Sequence, residues 1–479
     1  MGADAPSSGL EFKVSLDVRR DQQPHHDARI DAHLRVKATG IGPRDEVPAT
    51  GLAVVLALDV AAGRREPAAA ALAATLRALP DGVSFAVLGG ADESGVPTRC
   101  YPLSGRWALA DTMDKRRAAF SAGRIAPAAA DRPPPGYRAW LAAARALFAE
   151  RPLPLRHLLL ITDGSGGDRA DGAGPDAADG ALRAELDACE GAFTADVLAV
   201  GGDWDPAPLL AVVESLHGTA EHVPDRFGPA VAGALRRLRR VRSPELPVVV
   251  TARPAVRAVE LTETAPRQQR LEPAPRPDGQ DQEPYRTGFP THQWEPGTRD
   301  YLLTVHADAS TDPLGVLLQL ATVSVADATA PLLVRWLPPG VAVGAGATGG
   351  GGGTLQAMNA ATQMRTALNR GYAALDPISR TEAEAQFGLA VRLATEIGAA
   401  WVLQDVRQVA DILDGRRGVV RVGPTVDRGT VRRGQLHIAS GHGLDLPGPT
   451  PAGKPVKCPH CRHLAGPRAR FCIVCGRSL

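Results

Sequence analysis

Leu52-Ala53-Val54-Val55-Leu56-Ala57-Leu58-Asp59 decides the fold: seven consecutive apolar side chains closed by a carboxylate. Without polar alternation such a strand has no wet face, and strands buried on both faces belong to parallel sheets covered by helices. Three more runs repeat the pattern: VSFAVL at 83–88, HLLLIT at 157–162 and ADVLAV at 195–200. Helical stretches lie between and after them, at 66–79, 137–150, 177–189, 206–216 and 229–240. Alternating strands and helices joined by short polar turns predict a doubly wound, Rossmann-like α/β domain over 50–242. The run Arg236-Arg237-Leu238-Arg239-Arg240 ends the last of these helices, where cations offset the macrodipole.

Outward from this core the period becomes two. Residues 10–18 (Phe12, Val14, Leu16, Val18) and 30–36 (Ile30, Ala32, Leu34, Val36) alternate apolar and polar side chains, as strands with one wet face do. The alternation returns in LPVVVTA, VRAVELTE, DYLLTVHA, LLQLATVSVA and LLVRWLP. These segments predict a β-sandwich over 245–340, joined by the strands at 10–40 and interrupted by a Pro/Gln-rich loop at 266–284. Trp294, Tyr301 and Trp336 fall in its strands and are expected in its core. A Gly/Ala-rich linker is expected at 341–354. A helical segment at 355–415 follows, with helices at 355–372, 380–397 and 402–413. Short strands are expected within 418–440, at 419–422, 430–433 and 435–440, and a second linker at 441–456.

The 479 residues suit two to four domains. Lys and Arg number 54 against 52 Asp and Glu, a net charge of +2, which argues against global attraction to nucleic acid or anionic lipid. The apolar run at 52–58 is far short of the ~20 residues that a spanning helix needs, so no membrane association is expected. The start MGADAPSSGLEF has neither a basic nor an apolar signal region. A cytoplasmic location follows, with Cys100 and Cys189 as reduced thiols. G-x-S-x-G, Walker-type loops and H-E-x-x-H are absent from the sequence, so no catalytic residues are assigned and the chain is not expected to be an enzyme. His157 and His217 are expected to have local structural roles.

In an open parallel sheet, ligands bind beyond the carboxyl ends of the strands. Those ends carry Asp59, Gly89-Gly90, Asp163-Gly164-Ser165 and Gly201-Gly202-Asp203. Asp59 and Asp163 are expected to face one another across a small crevice, where two carboxylates could share a divalent cation or supply acid/base chemistry. With LALDVAAG on the first strand and LLLITDGSGGD on the fourth, the region resembles a von Willebrand factor type A domain. It is similar in particular to bacterial cytoplasmic proteins that set this domain between β-sandwich strands. DGVSFAVLGG, LDACEGAFTADVLAVGGDWD and GTAEHVPD extend the resemblance.

The resemblance implies a Mg²⁺ adhesion site built from Asp-x-Ser-x-Ser, a Thr from a second loop and an Asp from a third. This chain has Asp59-Val60-Ala61-Ala62-Gly63 in the first loop and Arg132-Pro133-Pro134-Pro135-Gly136 in the second. Ala, Gly and Pro side chains offer no oxygen, whereas Mg²⁺ demands near-octahedral oxygen ligation. Asp59 and Asp163 are therefore read as remnants of a degenerate site that binds no Mg²⁺, with Asp163 capping backbone N–H groups at the turn.

The C-terminal motif is Cys458-Pro459-His460-Cys461 followed, after ten intervening residues, by Cys472-Ile473-Val474-Cys475. Two C-x₂-C knuckles complete a tetrahedral thiolate shell with Zn–S distances of about 2.3 Å. The segment 457–479 thus resembles a short zinc ribbon holding one structural Zn²⁺, with His460 and His463 outside the ligand shell. The function expected is a non-catalytic intracellular binding or scaffold protein with a protein partner. The alternatives are a divalent-metal hydrolase or nucleotide-processing factor at the crevice, and a nucleic-acid adaptor acting through the basic ribbon, the less favoured partner class.

Overall fold

A computed structural model describes residues 10–40, 49–60, 65–92, 95–104, 107–123, 135–164, 175–201, 204–223, 227–274, 285–341, 352–375, 379–439, 456–462 and 464–465. Two compact units emerge. One comprises Gly42–Pro244 with Gln435–Ser440; the other comprises Met1–Ile41, Glu245–Gly434 and Gly441–Leu479.

In the first unit a seven-stranded sheet is centred on Leu52–Asp59. This strand pairs in parallel with Ser84–Ala91 on one side and Leu155–Thr162 on the other. Thr194–Ala199 and then Ala220–His222 continue the parallel set. The central strand is buried along its whole length, and its two faces feed separate cores. Leu52, Val54 and Leu56 pack with Leu72, Leu76, Val231 and Leu235. Ala53, Val55 and Ala57 pack with Trp140, Leu141, Phe148 and Leu209 on the opposite side. That two-sided burial is why the sequence shows unbroken apolar runs. Helices Arg65–Ala78, Tyr137–Glu150, Pro175–Cys189, Pro206–Ser215 and Phe227–Arg240 lie at or within two residues of the expected stretches. Leu436 is buried in the second of these cores.

Three elements on the other edge of the sheet were not expected. Strands Pro97–Tyr101 and Ala108–Leu109 run antiparallel to Ser84–Ala91, and helix Thr112–Gly123 follows them. The helix presents alanine to the core, Ala118 being fully buried, so its sequence carries no large-residue apolar stripe.

At the amino ends of the strands Asp196 accepts hydrogen bonds from the Thr219 backbone N–H (2.6 Å) and hydroxyl (2.9 Å). His157 Nε2 lies 3.4 Å from its Oδ2 and Arg237 Nη2 3.7 Å away. Burial alone pushes this carboxyl up, but His157, Arg237 and the Thr219 N–H together hold it well below the usual carboxylate range. His157 also bonds Thr194 Oγ1 at 2.8 Å, which fits the structural role expected of it. Cys100 and Cys189 are free thiols, and burial pushes both up to about 12.

The second unit holds two five-stranded sheets whose inner side chains share one core. Leu10–Val18, Ala28–Gly40, Gly297–Ala307, Val256–Ala265 and Gln269–Leu271 form one sheet. Arg286–Phe289, Val248–Ala252, Leu317–Val325, Ala328–Trp336 and the short Asp21–Gln22 form the other. Ile30, Leu34, Leu303 and Val305 from the first meet Val250, Val323, Leu332 and Val334 from the second. Trp294, Tyr301 and Trp336 are fully buried there, as their positions predicted.

Beyond this core, helices Gly352–Leu375 and Arg380–Ile397 pack together; of the linker expected at 341–354, residues 342–351 lie outside the described residues and 352–354 already belong to the first helix. Two expectations are corrected. The helix expected at 402–413 spans only Ala400–Val406; Ala410–Asp414 is a strand that pairs with Val419–Val422. The strands expected at 430–433 and 435–440 are instead a single helix, Arg428–Ala439. Glycines account for both errors. A Cβ on Gly434 would stand 2.3 Å from the Tyr372 ring, and a Cβ on Gly388 would stand 2.2 Å from the Gly418 carbonyl oxygen. Close backbone approach, not a row of large apolar residues, fixes these packings. The linker at 441–456 lies outside the described residues except for Val456.

Candidate functional site

Adjacent central strands set Asp59 directly beside Thr162 at the carboxyl edge of the sheet. Asp59, Thr162 and Asp163 are all buried. Asp163 donates its backbone N–H to the Asp59 carbonyl oxygen at 3.1 Å, so the two expected acids are brought to one edge. The side chain that touches Asp59 is one that motif reading passed over: the Thr162 hydroxyl donates to Asp59 Oδ2 at 2.7 Å. It accepts the Gly164 N–H at 3.0 Å, and the Tyr137 hydroxyl stands 3.4 Å from it. A hydroxyl has one proton and two acceptor lone pairs. With its proton on Asp59, Thr162 has acceptor lone pairs left for the Gly164 N–H and for the Tyr137 hydroxyl at the long end of hydrogen-bond distance.

Local folding explains each placement. Thr162 is the last residue of its strand, and Tyr137 is the first residue of a helix that begins after Gly136. Gly164 turns the chain at φ +79°, and a Cβ there would stand 2.3 Å from Trp204 Cα. Trp204 is fully buried and donates its indole N–H to the Gly201 carbonyl at 3.2 Å. His222 Nε2 meets the same carbonyl at 2.9 Å. The signal for Thr162 was present in LLLITDG, one residue before the acid. Nothing in the sequence marked Tyr137.

The loop residues Ala61, Ala62, Gly63, Arg132, Pro133, Pro134, Ser165, Gly202 and Asp203 lie outside the described residues. By chemistry alone, the alanines, glycine and prolines add no side-chain oxygen to the donor set. Among the described residues this edge offers two carboxylates and the Thr162 hydroxyl, fewer oxygens than the near-octahedral shell that Mg²⁺ takes.

At the C-terminus, Val456–Lys457 and Leu464–Ala465 form a two-stranded ladder around the first cysteine pair. Cys458 is buried and Cys461 exposed. The Arg462 N–H donates to the Cys458 carbonyl at 3.0 Å, with Arg462 at φ 59°. A strand, a tight C-x₂-C turn and a returning strand form a geometry that can present two thiolates to one metal ion. Cys472 and Cys475 lie outside the described residues.

Residues 52–222 match the von Willebrand factor type A domain. No curated protein matches the sequence. Among solved structures, the chain is similar to a von Willebrand factor type A protein from Catenulispora acidiphila, with 20% identity and a TM-score of 0.74, over 92% of this chain and 99% of that one. It is also similar to the ArnB paralog VWA2 from Sulfolobus acidocaldarius, with 9% identity and a TM-score of 0.48, over 91% and 100% of the two chains. At 20% identity the likeness to the first of these speaks to fold alone. No helix among the described residues is long and apolar enough to cross a membrane.

Proposed function

We propose that this chain, which carries a von Willebrand factor type A domain at 52–222, is a non-catalytic intracellular scaffold that binds protein partners without a divalent cation at its crevice. The observation that carries this reading is the hydrogen bond at this edge: the Thr162 hydroxyl donates to Asp59 Oδ2, a contact that a cation ligated by the same carboxylate oxygen would have to displace. That hydrogen bond satisfies one oxygen of the buried carboxylate without the ligand set that Mg²⁺ demands. The segment 457–479 is a zinc ribbon held by Cys458, Cys461, Cys472 and Cys475, with a structural rather than catalytic ion. Its small size suits a module that folds around metal.

The second reading, a metal-dependent hydrolase at the same edge, draws support from the retention of both Asp59 and Asp163. Phosphatase and nuclease assays with Mn²⁺ separate the two. Scaffold function expects no turnover above background from the intact chain. Turnover that disappears in Asp163→Ala would assign the crevice to catalysis instead.

A further inference from the structure

The edge of the α/β unit that the sequence did not announce is also where its large apolar side chains reach solvent. Leu103 is 84% exposed, Leu109 53%, Met113 55% and Phe120 67%. Single exposed apolar residues are ordinary, but two on one helix face, with two more in the chain that leads into it, are not scattered singly. Met113 and Phe120 lie seven positions apart on helix Thr112–Gly123 and share one face, with Arg116 and Arg117 on the same face between them. Leu109 ends the short edge strand just before the helix, and Leu103 lies in the break between the two edge strands.

The charges on this face are almost wholly positive. Asp114 accepts the Tyr101 hydroxyl at 2.7 Å, and Asp111 caps the helix by accepting the Asp114 N–H at 2.6 Å. Lys115 is turned away, to Asp81 and to the Leu79 carbonyl. Arg117 makes only a 3.6 Å approach to Asp114 with its side chain 65% exposed, and Arg116 has no ion pair among the described residues. The outer face therefore reads Met–Arg–Arg–Phe at helical spacing, two apolar anchors around two guanidinium groups.

Charge selects the occupant. A second copy packed antiparallel about a two-fold axis, burying Met113 against Phe120 of the other copy, would set Arg116 opposite Arg117 in both halves. Like charges at the centre of an interface disfavour that pairing. A helix carrying carboxylates between apolar residues meets the same face with both its charge and its anchors satisfied. We propose that this face docks an acidic amphipathic helix of another protein. The proposal rests on the scaffold reading and names its partner class.

The test measures fluorescence anisotropy of a labelled Leu/Glu amphipathic helical peptide with the full chain, and with a Leu/Lys peptide of the same pattern as control. The Leu/Glu peptide is expected to bind, more weakly as salt rises, and the Leu/Lys peptide is not. Phe120→Ser is expected to weaken binding about tenfold or more. The double variant Arg116→Glu/Arg117→Glu is expected to abolish Leu/Glu binding and admit the Leu/Lys peptide. Both variants lie on the surface and leave the core intact. Failure of the Leu/Glu peptide to bind, equal binding of the two peptides, or a chain dimer dispersed by Phe120→Ser would each overturn the proposal. None of these outcomes bears on turnover at the crevice, so the scaffold reading stands or falls separately.

Discussion

Thr162 precedes the acid that motif reading singled out, and its hydroxyl is the side-chain group that reaches Asp59. Its removal should therefore cost more than that of a typical surface hydroxyl. Thr162→Val is expected to destabilise the chain by about 1–3 kcal/mol, because a buried carboxylate loses a donor. Thr162→Ser should retain most of the stability, and urea unfolding of the two variants provides the measurement. Two buried acids elsewhere respond to pH with opposite signs. The Asp196 carboxyl lies below its ordinary range because its partners outweigh burial. Its stabilising contribution is present above the unfolded value of about 3.9 and is lost as pH falls below it. Glu263 is pushed up by burial, with Arg299 3.8 Å away offsetting only part of the shift. Folding then favours the protonated acid, so its contribution is present below the unfolded value of about 4.3 and is lost as pH rises through the folded one. Melting curves should accordingly show Glu263→Gln more stable than the parent at pH 7 and no better near pH 4. Asp196→Asn should be less stable at pH 7, with the difference shrinking toward pH 3.

At the scale of elements, large side chains made structure legible and glycine concealed it. Leu52–Asp59 and Leu155–Thr162 announced themselves because both faces of each strand are buried in apolar cores. The strands from Val248 to Trp336 announced themselves by alternation over a shared core. Helix Arg428–Ala439 did not, because its buried positions Val431, Leu436 and Ile438 leave Gly434 in the middle of the buried stripe, whose contact with Tyr372 depends on the missing side chain. The crevice was half legible for a related reason. Carboxylates are recognised as potential ligands, whereas a threonine at a strand end and a tyrosine starting a helix look like ordinary core residues. Gly388 tests the packing argument directly. A methyl there would stand 2.2 Å from the Gly418 carbonyl oxygen, so Gly388→Ala is expected to destabilise the helical part by about 1–3 kcal/mol or more. Circular dichroism during urea titration would reveal an earlier loss of helix than in the parent.

At the scale of the whole molecule, the α/β unit has a sheet edge tied by hydrogen bonds through Thr162, and a metal ion is the expected staple of the C-terminal tail. Elemental analysis of the full chain should find one zinc per chain, and Cys458→Ser should lower that content while leaving the urea transition of the α/β unit in place. Mg²⁺ should not be retained in either protein. The most direct test of the central claim is calorimetric titration of Mg²⁺, and then Mn²⁺, into the intact chain already loaded with zinc. No saturable heat is predicted, because Thr162 already donates to Asp59 Oδ2 and the loops at 60–63 and 132–136 lack hydroxyl ligands. Sub-millimolar binding that vanishes in Asp59→Ala would contradict the account and return the crevice to metal chemistry.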